Sequence, residues 1–194
     1  MHDQDIREFL RRDLQQRHGG DPETKVIDEL SIGGGRSRID LALVNGVLHG
    51  FEIKSNYDTL SRLPEQAKLY GTVCDRMTLV VGERLIRSAI DHLPDWWGVT
   101  LVRADDAGQL EFCNFKFAQT NPSLDAMAVA RFLHRSEAVA FVVELGSGSP
   151  SQRVSRQELC RFLAKNVKLP VLCERVRTCI RARQSLSGPR SYGD

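Results

Sequence analysis

Two acidic residues and a lysine stand at a spacing that suits metal-assisted hydrolysis of a phosphodiester. Asp40 is followed by eleven residues and then by Glu52-Ile53-Lys54. Such hydrolysis near neutral pH needs a cation that neutralises charge on the phosphate and lowers the pKa of water. Mg²⁺ keeps several waters and takes one or two protein carboxylates, so Asp40 and Glu52 could hold it, with Mn²⁺ as a substitute. Lys54 could orient the attacking water or stabilise the charge that grows on the phosphate.

A β-hairpin would have to bring these residues together. Apolar-rich runs at 38–44 and 48–54 predict two strands, and the Asn45-Gly46 between them is a strong hairpin signal. A two-residue turn would pair Ile39 with Glu52 and would mix charged and core residues on both faces.

A three-residue turn closed by a glycine bulge gives the register that we prefer. It pairs Asp40 with Glu52 and collects the apolar side chains of the hairpin on the opposite face. Those apolar residues are Ile39, Leu41, Leu43, Phe51 and Ile53. Asp40, Glu52 and Lys54 are therefore expected side by side on one face of the sheet.

The remaining periodicity predicts an α/β chain of order αβββαβαββ that continues into helices. A helix at 4–16 and a strand at 25–32 precede the hairpin. The segments expected after the hairpin are a helix around 60–74, strands at 77–81, 99–103 and 110–117, a helix at about 83–92, helices at 123–134 and 136–145, and two more helices after a linker at 146–150. The first of those two should begin with a capping box from Ser155 to Glu158.

This arrangement resembles the core of the PD-(D/E)xK nuclease superfamily, in which the acid lies on the second strand and the ExK tripeptide on the third. Gln66-Ala67-Lys68-Leu69-Tyr70 matches the QxxxY motif of RecB-like members, whose Gln and Tyr line the site near the metal and the DNA. Residues 38–70 are also similar to a group of small bacterial members of the superfamily. The resemblance covers about residues 4–82, and Ile39 replaces the proline that gives the superfamily its name.

The resemblance implies a restriction-endonuclease-like αβββαβ core with a mixed central sheet, followed by a C-terminal helical region. It also implies a further acid from the first helix or the first strand. Glu8 lies opposite the apolar stripe of its helix, as a solvated residue would, whereas Glu29 points towards the face assigned to Asp40; we prefer Glu29 and keep Glu8 open. The expected catalytic residues are Glu29, Asp40, Glu52, Lys54, Gln66 and Tyr70, with Asp40 and Glu52 as the metal ligands.

The expected function is that of an Mg²⁺-dependent deoxyribonuclease. Residues 1–118 would form the nuclease-like domain, 119–184 a helical accessory region and 185–194 a flexible tail. Two alternatives stay open: a protein of nuclease fold that binds nucleic acid or a partner without cleaving it, and a metal-binding enzyme that acts on a small phosphorylated molecule.

Charge is unevenly distributed along the chain. The formal net charge of +2 divides into −5 over residues 1–144 and +7 over residues 145–194. The basic part is either the solvated face of a helical bundle or a clamp on a DNA backbone. DNA is the expected partner, while RNA and a homodimer stay open. The expected nucleic-acid contacts are Arg36, Arg38, Arg62 and, facing away from the apolar stripe of the last helix, Arg177 and Arg181.

Other patterns exclude several classes. With 41% hydrophobic and 27% charged residues, the composition is that of a globular protein. We expect a cytoplasmic protein without a membrane partner, since no apolar run approaches about 18 residues and no basic-then-apolar leader begins the chain. The five cysteines lack a CxxC pair, which favours reduced thiols.

Asp58 and Arg62, four residues apart, are either a surface ion pair or part of the site.

Overall fold

The chain folds around a six-stranded sheet whose spatial order follows the order of the strands in the sequence. The computed structural model describes residues 2–183. Strands β1 to β3 and the pair β5–β6 are antiparallel, whereas β3, β4 and β5 run parallel. The strands are β1 (Lys25–Ile32), β2 (Ser37–Val44), β3 (Leu48–Lys54), β4 (Arg76–Gly82), β5 (Gly98–Ala104) and β6 (Leu110–Lys116). The predicted mixed α/β architecture is confirmed.

Seven helices surround this sheet within the described residues. They are α1 (Asp3–His18), α2 (Leu63–Tyr70), α3 (Ile86–Ile90), α4 (Ala126–Ala130), α5 (Arg135–Glu144), α6 (Arg156–Asn166) and α7 (Leu169–Ala182). The predicted capping box at Ser155 is present and opens α6. Helix α2 is shorter than its apolar stripe suggested, and Pro64 lies in its first turn, where the missing N–H costs no hydrogen bond. The predicted tail at 185–194 lies outside the described residues.

Different helices cover the two faces of the sheet. Helix α1 places Ile6, Leu10 and Leu14 against one face, where Leu41 and Phe51 belong to the same buried cluster. Helix α2 and the C-terminal helices cover the other face. Their shared cluster includes Tyr70, Met77, Trp97, Leu133, Leu163 and Ile180. The boundary near residue 118 stays a prediction, but the residues on both sides of it contribute to one continuous core.

The hairpin has the register that the side chains predicted. Ala42 pairs with Gly50, and three residues separate the strands. The glycine bulge is wrong, because Gly46 does not have a positive φ. Instead, the Asn45 N–H donates to the Val47 carbonyl at 3.0 Å and the Asn45 side-chain oxygen accepts from the Val47 N–H at 3.1 Å.

The predicted orientation of Ile39 is also wrong. Leu41 belongs to the cluster beneath α1, whereas Ile39 belongs to the cluster on the opposite face. The alternation of side chains changes at Asp40, where the pairing of β2 with β3 ends beyond Leu41 and Phe51. Glu29, between the β1 partners of Ile39 and Leu41, has a φ of 52°. This irregularity frees Asp40 from strict alternation and lets its carboxylate lie between the two strands.

Candidate active site

Glu52 and Lys54 lie at the end of β3, on the side that faces α2. Both residues are buried, with exposed fractions of 1% and 5%. They share a side because they are two residues apart on a strand, and the Lys54 ammonium donates to Glu52 Oε1 at 2.6 Å. A buried Glu and Lys are rare unless they pair, so the fold has excluded water around a charged group that can do chemistry.

Glu52 has one satisfied and one unsatisfied oxygen. Oε1 accepts from Lys54 and also from Gln66 Nε2, at 2.6 Å. Oε2 is buried and has no hydrogen-bond partner among the described residues. Burying a carboxylate oxygen without a partner is costly, so a donor or a cation bound at Oε2 would stabilise the site.

Asp40 reaches the same place from β2. Its Oδ2 accepts from the Ile53 N–H at 2.8 Å, and its Oδ1 accepts from Arg7 at 3.0 Å. Burial, followed by the charge of Glu52, raises the pKa of Asp40 to about 7, although the Ile53 N–H and Arg7 oppose that rise. Asp40 and Glu52 are therefore close enough to repel each other when both are ionised.

Arg7 joins the first helix to the site, and the sequence patterns did not indicate it. Its guanidinium contacts Asp3 at 3.1 Å, Asp40 at 3.0 Å and also Glu29. Glu29 therefore reaches the site through Arg7 rather than by touching Glu52. Glu8, the other candidate acid, is exposed and accepts from Gln4 on the same helix.

Gln66 and Tyr70 lie one turn apart on α2 and connect it to the strands. The Tyr70 hydroxyl donates to the Arg38 carbonyl at 2.7 Å and accepts from Gln66 at 3.2 Å. Ser37 lies within hydrogen-bond distance of the same hydroxyl. Burial raises the pKa of Tyr70 above its usual value, so the phenol stays protonated and acts by holding Gln66 and β2 in place.

The donor set restricts the kind of metal that could bind. Among residues 2–183, no group of three or more His, Cys, Asp or Glu side chains could hold a metal ion. The pair Asp40 and Glu52 nevertheless fits Mg²⁺, which takes one or two protein carboxylates and completes its shell with water. The unpartnered Glu52 Oε2 is the oxygen that such an ion would satisfy.

Comparison with known proteins gives the family. The family model for bacteriophage P4 protein cII matches residues 3–188. The chain belongs to this family. Protein cII of Enterobacteria phage P4 is 24% identical over 161 residues, and the match covers 83% of this chain and 60% of the phage protein. This cII-family chain thus spans about 60% of the length of that relative.

A solved structure shows a more distant similarity. Pyrococcus furiosus SfsA in complex with Ca²⁺ aligns with a TM-score of 0.36 and 11% identity, over 60% of this chain and 65% of the SfsA chain. Separately, none of the helices in residues 2–183 of the cII-family chain has the length and apolar content that crossing a membrane requires.

The predicted nucleic-acid contacts separate into two groups in this cII-family protein. Arg36 and Arg62 line one groove together with Gln66, whereas Arg38 pairs with Glu29 at 3.4 Å. Arg62 does not pair with Asp58, which closes the turn after β3 by accepting from the Ser55 N–H at 2.7 Å and from the Ser55 hydroxyl at 2.6 Å.

Arg177 and Arg181, expected to face away from the apolar stripe of α7 and to contact nucleic acid, are instead paired with other parts of the protein. Arg177 pairs with Asp75 at 3.0 Å, and Arg181 donates to the Asn45 carbonyl at 2.7 Å. Both guanidinium groups therefore hold α7 against the loops that precede β3 and β4. The apolar stripe of α7 packs inward, but long arginine side chains beside it can still reach over to the sheet.

Proposed function

We propose that the protein is a metal-dependent nuclease that hydrolyses phosphodiester bonds of DNA, with Asp40 and Glu52 holding Mg²⁺. The observation that carries this proposal is the buried Glu52 Oε2, which has no hydrogen-bond partner among residues 2–183 and lies near a second carboxylate. A buried and a partly buried carboxylate that repel each other suit a divalent cation, which would neutralise both charges. The resemblance to PD-(D/E)xK nucleases supports the same function.

The chain's own residues prepare the site for this chemistry. A bound Mg²⁺ would neutralise charge on the phosphate and lower the pKa of a water molecule. Lys54 and Gln66 both hold Glu52 Oε1, which fixes the side chain and leaves Oε2 free. The Lys54 ammonium can also donate a hydrogen bond to the attacking water or to a phosphate oxygen.

Purified protein should nick or degrade DNA in the presence of Mg²⁺ or Mn²⁺. Asp40→Ala and Lys54→Ala should each reduce cleavage by about 100-fold or more, because each removes a group that acts on the reacting atoms. Asp106→Asn, in the exposed turn between β5 and β6, provides a matched control that should cleave like the wild type. Circular dichroism would establish that all variants are folded.

The proposal fails if the wild type and both site variants cleave DNA equally, because the activity would then belong to a contaminant. Parallel assays on RNA of the same sequence would show which polymer is preferred.

Arg7 favours a second candidate function, nucleic-acid binding without cleavage, because it already occupies Asp40 Oδ1. Metal-independent, salt-sensitive DNA binding that Glu52→Ala leaves unchanged, without cleavage by the wild type, would support that second function.

A further inference from the structure

A groove lined by three basic side chains runs beside the candidate active site. Arg36, Arg62 and Lys68 line it, and Glu65 is the one acidic residue among the described residues of its wall. The groove has a volume of about 420 Å³, which exceeds what a water molecule or a single ion requires. Its lining therefore has an excess of positive charge and room for a larger anion.

The β1–β2 loop and α2 form the two walls. Gly33, Gly34 and Gly35 have φ angles of 62°, 75° and 92°, a conformation that side chains other than glycine adopt only with strain. This run of glycines turns the chain back sharply, so that Arg36 lies across from α2. Arg62 immediately precedes the helix, and Lys68 is exposed on it.

These three cations have no acidic partner in the part of the chain that the structure describes. Within residues 2–183, the ion pairs involve other basic residues and none of Arg36, Arg62 and Lys68. Their neighbour Arg38, by contrast, is paired with Glu29. Three unpaired cations on one concave surface favour an anion from outside the protein.

Gln66 connects the groove to the site. Its side chain lines the groove, and its amide donates to Glu52 Oε1 at 2.6 Å. An anion in the groove would therefore be separated from the metal ligand Glu52 by a single side chain. A phosphate group held there and a phosphate held at Glu52 would be close neighbours, as they are along a polynucleotide.

We propose that this groove binds a phosphate of a nucleotide adjacent to the one that is cleaved, so that the substrate is a polynucleotide rather than a small phosphate ester. This inference rests on the proposed nuclease function. Arg36 and Arg62 provide planar guanidinium groups that bind phosphate oxygens in pairs, and Lys68 adds a point charge.

Binding of a fluorescently labelled DNA strand, measured by anisotropy in EDTA over a range of salt concentrations, tests the groove without cleavage. The double variant Arg36→Ala/Arg62→Ala should bind at least about tenfold more weakly, and its salt slope should fall by about 1, because a phosphate contact is lost. Arg76→Ala is the matched control. Arg76 is an exposed arginine at the start of β4, opposite His49, whereas Lys54 lies at the other end of β3. This variant should bind DNA like the wild type.

A cleavage assay separates this inference from the proposed function. The double variant should lose at least about ten times more activity on DNA than on bis(p-nitrophenyl) phosphate, which has no adjacent nucleotide. If the wild type cleaves neither substrate, the proposed function fails while the binding assay still decides the groove. Equal DNA affinity of the double variant and the Arg76→Ala control would overturn the inference, and so would equal losses on the two substrates.

Discussion

Asp40 is a partly buried acidic residue whose pKa is raised by burial and by the charge of Glu52. Its pKa of about 7 in the folded protein compares with an ordinary value of 3.8. Between about pH 4 and pH 7, the folded protein therefore keeps a proton that the unfolded chain has released. The contribution of Asp40 to stability is fully present below about pH 4 and is lost as the pH rises through about 7.

Asp40→Asn should therefore stabilise the metal-free protein at alkaline pH. In EDTA at about pH 8, its Tm should exceed that of the wild type by a few degrees, and the difference should become small near about pH 4. Adding Mg²⁺ should raise the Tm of the wild type more than that of the variant. Differential scanning calorimetry measures all three effects. Parallel pH profiles for the two proteins would contradict the raised pKa of the partly buried Asp40.

The residues of the candidate site differ in how well the sequence could predict them. Glu52, Lys54 and Gln66 converge in the structure as expected, because strand alternation and helical spacing fix their relative positions. Arg7 was not predicted. It meets Asp40 only after 33 residues have folded back, and no local spacing on α1 indicates such a contact.

At the scale of elements, α2 fixes the distance between β2 and β3. The Tyr70 hydroxyl donates a hydrogen bond to the Arg38 carbonyl of β2. Gln66, one turn earlier, donates a hydrogen bond to Glu52 of β3. The two strands pair only up to Leu41 and Phe51, so hydrogen bonds from this helix replace strand pairing at the site. The QxxxY spacing thus has a structural role besides any contact with substrate.

Tyr70→Phe tests this role of α2. The phenylalanine would keep the packing but would leave the Arg38 carbonyl and Gln66 without the hydroxyl, so the free energy of unfolding should fall by about 1–3 kcal/mol. Urea denaturation measures that change. Cleavage should fall less than in Lys54→Ala, because Tyr70 positions Gln66 and does not contact reacting atoms. A loss of activity as large as that of Lys54→Ala, without loss of stability, would contradict the positioning role.

The elements themselves were predictable where local patterns decide them. The bounds of β1 and β3 match the predicted runs, and the hairpin register followed from keeping charges on one face. The face of Ile39 was not predictable, because the change of alternation at Asp40 depends on the neighbouring strand β1. Helix α4, predicted at 123–134, spans only Ala126–Ala130, and Asp125 caps its start by accepting from the Ala128 N–H.

At the scale of the whole molecule, the charge division along the chain has an internal use. The sequence carries −5 over residues 1–144 and +7 over residues 145–194. Both interpretations from sequence placed the basic residues in solvent or on DNA. In the structure, five arginines of the basic part instead bind acidic side chains or carbonyl groups of the earlier part. They are Arg156, Arg175, Arg177, Arg181 and Arg183.

Arg177 provides the clearest test of this attachment. Its partner Asp75 also accepts from the Leu48 N–H at 2.7 Å, so one carboxylate joins α7 to the starts of β3 and β4. The Arg177 side chain is only 11% exposed, and solvent screening of this pair is therefore weaker than at the surface. Arg177→Ala would leave Asp75 partly buried with one fewer donor. The free energy of unfolding should fall by about 2 kcal/mol.

The same variant distinguishes attachment from a clamp on DNA. Arg177→Ala should lower the urea midpoint in a single transition, because the helices and the sheet share one core, while DNA affinity and its salt slope stay at wild-type values. Arg161→Ala, an exposed arginine on α6, is the matched control and should change neither quantity. If Arg177→Ala kept full stability and reduced the salt slope by about 1, the basic helices would contact DNA and the attachment would be wrong. The groove beside Gln66 would then not be the sole basic surface engaged by the polymer.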